Sequence, residues 1–494
     1  MGHAMAMQET IEPYSEIHET HTGLVVLIGD RAYKIKKPIR TEFLDFSTPE
    51  RREQACRREL ELNRRLAPDS YLGVAHLSAE WAGTSEPVIV MKRRPDGCRL
   101  ASMVRSGQPV TEQLMAIAER LASFHKSAER SKTVAAQGTV EAVNVRWEAN
   151  FAELQQFVGT VVNRQRMDAV RQSAADFIAG REPLFTGRVR GGRIVDGHGD
   201  LLADDIFCLA DGPEMLDCLE FDDNLRYVDT IDDAAFLAMD LEFLGRKDLG
   251  ELFLAQYSRL AADPAPQSLK DFYIAYRALV RAKVDCVRFT QDHRGADADA
   301  SRHLDVALEH LQACSVRLAV VGGGPGTGKT TLAHALANQV GAAVISTDEV
   351  RRDMQDSGAI SGEVGVLDAG LYSDANVAAV YGEVLRQANI QLSNGRSVIL
   401  DGTWRDPHRR DQARQLAIRT HSAHIELKCD TSVGAAAHRV AARPAGGFSD
   451  ATPEIATALA GGSQRWPEAH HIDTGRPLSE SVCAAEKLWR QALE

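Results

Sequence analysis

Gly323-Gly324-Pro325-Gly326-Thr327-Gly328-Lys329-Thr330 is the most informative segment of this chain. It spells G-x-x-x-x-G-K-T. The apolar run at residues 316–321 precedes it and reads as a buried strand, and residues 331–337, opening with Thr331, read as a helix. Strand, loop and helix in that order are the context that gives the motif its meaning. Glycines let backbone N–H groups turn inward around phosphates, and the helix N-terminus adds a favourable dipole. Residues Gly323 to Thr331 then form a nucleotide-binding loop, with Lys329 reaching the β- and γ-phosphates and the Thr330 hydroxyl as a Mg²⁺ ligand.

Two acids stand where such a loop needs them. Val344-Ile345-Ser346-Thr347-Asp348 puts Asp348 at the C-terminal end of the next strand, the edge at which doubly wound sheets build their sites. Ser397-Val398-Ile399-Leu400-Asp401 is a further strand ending in a Walker-B-type acid suited to Mg²⁺. Gly402 follows it, where mechanical ATPases carry a glutamate that activates water. That favours transfer to an acceptor over hydrolysis, with Asp348 binding or deprotonating the acceptor hydroxyl. Arg439 and Arg443 lie one helical turn apart on one face, and arginines over phosphates stabilise a phosphoryl-transfer transition state. Apolar strands ending at Val321, Ile345, Leu400 and Leu427 alternate with helical segments. Residues 315–494 therefore predict an α/β doubly wound parallel sheet.

The loop begins only at residue 323 of 494, so a large upstream region needs its own account. The length suggests two or three domains. Apolar content of 44% and charged content of 26% are those of a globular chain. A net charge of −12 argues against a general nucleic-acid binder. No stretch reaches the roughly eighteen apolar residues a membrane span needs, and the N-terminus has no signal-like apolar core. The eight cysteines are scattered without a C-x-x-C pair, so a zinc site or disulfide framework is not indicated and a reduced, cytoplasmic protein is expected.

Upstream, residues 17–95 read as strands around one helix. Residues 23–28 are an apolar strand, Gly29-Asp30 a hairpin turn, and residues 31–37 the return strand, stopped by Pro38. Thr48-Pro49-Glu50 signals a helix start, and the helix is expected to run to Leu66. Residues 96–313 read as mainly helical, apart from a strand-rich island at 194–221 and a loop at 291–301. That island holds two acid groups, Asp200, Asp204 and Asp205 first, then Glu220, Asp222 and Asp223. Carboxylates on neighbouring loops are what phosphoryl transfer with Mg²⁺ requires, and a strand lysine and a helix glutamate, such as Lys34 and Glu59, would complete the site. Lys36 shares the face of Lys34, so either can be the phosphate lysine.

His198-x-Asp200-x-x-x-x-Asp205, with Tyr33-Lys34-Ile35-Lys36-Lys37-Pro38 and the segment from Glu220 to Asp229, resembles the aminoglycoside-phosphotransferase-like kinases over residues 18–312. The resemblance implies an α+β, two-lobed protein-kinase-like fold. It also implies Asp200 as catalytic base, Lys34 on the α- and β-phosphates paired to Glu59, and Asp205 with Glu220 or Asp222 as Mg²⁺ ligands. Asp205 stands where that family carries Asn, and the turn at residues 20–23 replaces a glycine-rich loop. Residues 315–494 in turn resemble the small P-loop kinases, with relatives among zeta-toxin-like kinases. That resemblance implies Arg439 and Arg443 as lid arginines and substrate contacts from Arg351 and Arg352.

Together these readings predict an ATP- and Mg²⁺-dependent phosphotransferase with two nucleotide sites and a small-molecule hydroxyl acceptor, either a sugar, an amino sugar or an aminoglycoside-like compound. The alternative is a nucleotide-sensing regulatory protein, with a degenerate first module and one active P-loop kinase domain.

Overall fold

Residues 23–36 turn back on themselves at Gly29, whose φ of +55° is the left-handed conformation a two-residue hairpin turn requires. The result is an antiparallel pair, β2 (Gly23–Ile28) and β3 (Arg31–Lys36), with Val25 opposite Lys34. The computed structural model describes residues 14–19, 23–40, 45–78, 85–363, 370–442 and 466–492. Contacts divide the chain into two units: Met1–Thr139 with Arg188–Ala265, and Val140–Gly187 with Pro266–Glu494.

In the first unit the hairpin extends into an antiparallel sheet. Among the described residues its order is β1-β2-β3-β5-β4, with β1 (Ser15–Glu19), β4 (Tyr71–Ser78) and β5 (Ser85–Lys92). The helix Pro49–Asn63 packs on this sheet. Thr48 caps its N-terminus, accepting from the Arg51 amide, and Pro49 takes the first turn, where its missing N–H costs nothing. The helix stops at Asn63, short of the expected Leu66. The Asn63 side chain donates to the Glu59 carbonyl at 2.9 Å, and Leu66 and Ala67 are buried in the turn that follows.

The strand-rich island resolves into β6 (Ile194–Asp196) and the hairpin β7 (Ile206–Leu209) and β8 (Gly212–Met215), while β9 (Tyr227–Asp229), beyond the island, pairs with β6. The helix Thr230–Phe243 follows, and its burial nearly all round makes it the core of this part. It carries Asp233, which has no exposed surface. Asp233 accepts from the backbone amides of His198 and Gly199 at 2.7 and 2.8 Å and from His125 Nε2 at 2.9 Å. One buried carboxylate thus holds the loop after β6 in place.

The second unit contains an all-parallel sheet of order β11-β12-β10-β13-β14 among the described residues. Its strands are β10 (Arg317–Gly322), β11 (Ala343–Ser346), β12 (Val398–Asp401), β13 (Ala423–Asp430) and β14 (His470–Asp473). Both faces are covered, which is why β10 is a continuous apolar run. Leu318 and Val320 face the core made with the helices Asp374–Ser393 and Pro407–Arg419. Ala319 and Val321 face the core made with Lys329–Val340 and Leu478–Gln491. The unit also includes a helical layer of Val140–Leu154, Arg164–Ala179, Gln267–Phe289 and Ala296–Cys314. The last of these starts inside the loop expected at 291–301, immediately after Gly295 with φ +81°. No described helix is long and apolar enough to cross a membrane.

The anchor role of Asp233 predicts a large stability effect. Burial opposes its charge, but the hydrogen bond and charge of His125 and the His198 amide hold its carboxyl below the usual range. Such a group stabilises the fold fully above its unfolded value of about 3.9, and the contribution is lost as pH falls through the folded one. Asp233→Ala should cost about 3–5 kcal/mol at neutral pH. It should be read as a lowered urea midpoint for the first unit, with the gap to the wild type narrowing in strong acid.

Candidate active sites

Alternation along β3 puts Lys34 and Lys36 on the same face, toward the helix Pro49–Asn63. That helix presents Glu59, with no exposed surface, between them. Glu59 Oε1 lies 2.8 Å from Lys34 Nζ, and Oε2 lies 2.8 Å from Lys36 Nζ. Lys34 also donates to Asp217 Oδ1 at 2.5 Å. Lys36 donates to Glu220 Oε1 at 2.7 Å and sits 4.8 Å from the Phe46 ring centroid. Burial disfavours both ammonium charges, yet Asp217 and Glu59 hold Lys34, and Glu59 and Glu220 hold Lys36, well above the ordinary lysine value. Glu59 is held below the carboxylate range by the same two lysines, against its own desolvation.

The acids come from two loops. His198 is buried, and burial lowers its pKa, so it is the neutral imidazole. Its Nε2 donates to the Leu216 carbonyl at 3.0 Å, and its Nδ1 accepts from the Asp200 amide at 3.3 Å. It therefore shapes the loop that carries Asp200. The second loop follows β8, and its Cys218 amide is held by Asn63 Oδ1 at 2.9 Å. Here the structure places Asp217, in a left-handed conformation of φ +62° rare for a residue with a side chain. Asp205 is pushed well above the carboxylate range by burial first, then by the neighbouring Asp217 and Asp200. Asp200 and Asp217 thus both oppose the ionisation of Asp205, and a cation beside Asp205 would relieve that repulsion.

Asp217 was missed from the sequence. Its signal is an acid directly after the β7–β8 hairpin, in Leu216-Asp217, masked by the denser acidic run beyond it. It is Asp217, and neither Glu220 nor Asp222, that stands beside Lys34 and Asp205. Glu220 is engaged by Lys36, and burial and Glu59 raise its pKa. Asp222 caps the short helix Asp223–Arg226, its Oδ1 accepting from the Asn224 amide at 2.9 Å. Residues 20–22 of the turn expected over the phosphates lie outside the described residues.

In the second unit the loop at 323–330 joins β10 to the helix Lys329–Val340. Gly323, Gly326 and Gly328 take φ of +155°, +79° and +82°. A Cβ on Gly326 would lie 2.2 Å from the Ala436 carbonyl oxygen. Thr330 Oγ1 donates to Asp401 Oδ2 at 2.8 Å, while Asp401 Oδ1 is buried without a hydrogen-bond partner. Burial raises the Asp401 pKa, opposed by Lys329. An orphaned carboxylate oxygen beside a threonine hydroxyl fits a hard divalent cation. Asp348 accepts from Arg351 Nη1 at 2.8 Å. Arg439 donates to the Thr474 carbonyl at 2.8 Å and the Gly326 carbonyl at 3.5 Å, and Thr474 Oγ1 donates to the Thr327 carbonyl at 2.6 Å. The sequence reading missed Thr474, since β14 was itself unforeseen. Arg443 lies outside the described residues. Among the described residues no three His, Cys, Asp or Glu side chains form a ready-made metal cage. Mg²⁺ commonly takes one or two carboxylates and completes its shell with phosphates and water.

Gly326→Ala combines a positive φ with a backbone clash, so it should weaken nucleotide binding in this unit by about tenfold or more while the chain stays folded. Titration with a fluorescent ATP analogue, alongside circular dichroism, checks it.

Residues 318–460 match the AAA_33 family model, described as an AAA domain. A choline/ethanolamine kinase family protein from Mesorhizobium loti is 15% identical, covering 62% of this chain and 95% of its own, with a TM-score of 0.38. The APS kinase CysC of Mycobacterium tuberculosis, in complex with AMPPNP and APS, is 18% identical, covering 35% of this chain and 98% of its own, with a TM-score of 0.28. These structural likenesses are distant, and the geometry of the two sites carries the functional reading. Far nearer is the uncharacterized protein Rv2004c of Mycobacterium tuberculosis, 58% identical over 484 residues, which are 98% of this chain and 97% of that one. With an antiparallel sheet in its first unit and an all-parallel P-loop sheet in its second, the chain belongs to the same family as Rv2004c.

Proposed function

We propose that this protein is an ATP-dependent small-molecule kinase with two nucleotide sites, one in each unit. The observation that supports it is that each unit gathers the same three parts within itself. These are a lysine for phosphate, an acid-lined place for a cation, and a further acid for a hydroxyl proton. In the first unit Lys34, oriented by Glu59, faces the α- and β-phosphates, and Asp200 takes the acceptor proton. Asp205 and Asp217 would hold Mg²⁺ there. In the second unit the P-loop amides and Lys329 bind the phosphates, Thr330 and Asp401 would hold Mg²⁺, and Asp348 takes the proton. Arg439 stands against the loop, and Arg443 is the further lid arginine. When bound, Mg²⁺ neutralises charge on the β- and γ-phosphate oxygens.

The step is the same at both sites. The acceptor oxygen bonds to the γ-phosphorus, the bond from that phosphorus to the β,γ-bridging oxygen breaks, and ADP leaves with the electron pair. The hydroxyl proton passes to the carboxylate, and positioning with electrostatics does the rest. The domain limits that go with this reading are 17–95 and 96–313 for the two lobes of the first module and 315–494 for the second. We place the protein in the cytoplasm, where its eight free cysteines stay reduced.

The third carboxyl at Asp205, where related kinases carry Asn, favours a second reading in which the first unit only senses nucleotide. Two variants of the full chain separate the readings, assayed by mass spectrometry of a sugar, amino-sugar, nucleoside and antibiotic panel with ATP. The proposal expects Asp200→Asn and Lys329→Ala each to remove a different phosphorylated product. If Asp200→Asn leaves every product intact while Lys329→Ala removes all, the first unit is the sensor. Unchanged products in both variants would refute the proposal.

A further inference from the structure

The C-terminal edge of the parallel sheet carries buried donors that lack acceptors. Arg351 lies one turn beyond Asp348 in the helix Thr347–Asp356 and is 8% exposed. Its Nη1 holds Asp348, its guanidinium sits 4.6 Å from the Tyr372 ring centroid, and its Nε has no hydrogen-bond partner. Trp404 has no exposed surface, and its indole Nε1 also lacks a partner. Its backbone sits at φ +47°, a strained value for a bulky residue, and is held there by Arg410 Nη1, which donates to the Trp404 carbonyl at 2.8 Å.

Tyr381 shows that these groups share one place. Its ring meets Trp404 edge-on at 4.9 Å, and its hydroxyl bonds Thr403 Oγ1 and the Trp404 amide, each at 3.3 Å. Arg351 and Asp348 both lie within electrostatic reach of that hydroxyl, and the Arg409 guanidinium is 6.0 Å from the ring centroid. A Cβ on Gly402 would stand 3.1 Å from Trp404 Nε1 and 2.8 Å from Thr347 Cγ2. The indole N–H is therefore at the ends of β11 and β12, next to Gly402, which together with Thr347 adjoins the acids assigned to proton and metal in the chain.

We infer that the phosphoryl acceptor of the second unit is an anion. It is a small hydroxy compound bearing a carboxylate or phosphate group, which Arg351 and the Trp404 indole hold while its hydroxyl faces Asp348. This rests on the kinase reading of that unit. A donor buried without a partner is costly, and an anionic oxygen is the partner that recovers most. Charge points the same way. Asp348 neutralises Arg351 at rest, but it loses its charge on accepting the hydroxyl proton, and an acceptor anion then keeps the guanidinium compensated. Transfer follows the balance given above, with the proton ending on Asp348.

The test uses the full chain carrying Asp200→Asn, so that only the second unit turns over. Gluconate, glucose 6-phosphate, glucose and glucosamine, within wider panels of each charge class, are offered with ATP, and products are followed by mass spectrometry. Turnover of anionic acceptors is expected, and the first two compounds distinguish carboxylate from phosphate. Arg351→Gln and Trp404→Phe should each raise KM about tenfold or more with kcat changed far less, the mark of lost ground-state binding. Unchanged affinity for an ATP analogue shows that each variant is folded. Preferred turnover of neutral or cationic acceptors, with KM indifferent to both substitutions, overturns the inference and leaves the kinase reading standing. No product from any class overturns the kinase reading itself, and the inference with it.

Discussion

Glu59 is charged and entirely removed from water, and two ammonium groups 2.8 Å away compensate it. Losing either would leave a buried charge without full compensation, which costs several kcal/mol. The pairing therefore ties three elements together. β3 supplies the lysines, the helix Pro49–Asn63 supplies the glutamate, and the loop after β8 supplies Asp217 and Glu220 on the lysines' far sides. A buried ionic cluster of this kind is weak evidence for stability and better evidence for fixed geometry. Here it fixes Lys34 beside the acids that the proposed chemistry needs.

The second unit answers the same electrostatic problem by other means. Its phosphate cradle is backbone, and the constraint is steric. Gly326 has a positive φ and no room for a Cβ against Ala436. Arg439 and Thr474 brace the loop: Arg439 donates to the Gly326 carbonyl and to that of Thr474, the residue after β14, and Thr474 donates to the Thr327 carbonyl. In the proposed function, one unit would use side-chain ammonium groups on a sheet and the other amides at a helix N-terminus. Both set carboxylates at strand ends, where side chains can converge on a ligand without disturbing the core.

Legibility followed local signal strength. The P-loop, β10 and the acids Asp348 and Asp401 were readable because apolar runs of a doubly covered sheet end abruptly in polar residues. β14 was not, because His470 and His471 are polar and exposed and pairing with β13 alone makes that segment a strand. Asp217 was hidden because its role comes from a hairpin and a backbone twist, neither of which leaves a spacing in the sequence. The choice between Lys34 and Lys36 could not be made from alternation, and the structure gives the reason. Both share Glu59, and only their outer partners, Asp217 and Glu220, tell them apart.

The proposed function requires two nucleotide sites, each built within its own unit. Calorimetric titration of the full-length protein with a non-hydrolysable ATP analogue in excess Mg²⁺ tests it without knowledge of any acceptor. Two nucleotides per chain are expected, with Lys329→Ala and Glu59→Ala each lowering the stoichiometry to one. A single nucleotide per wild-type chain would contradict it.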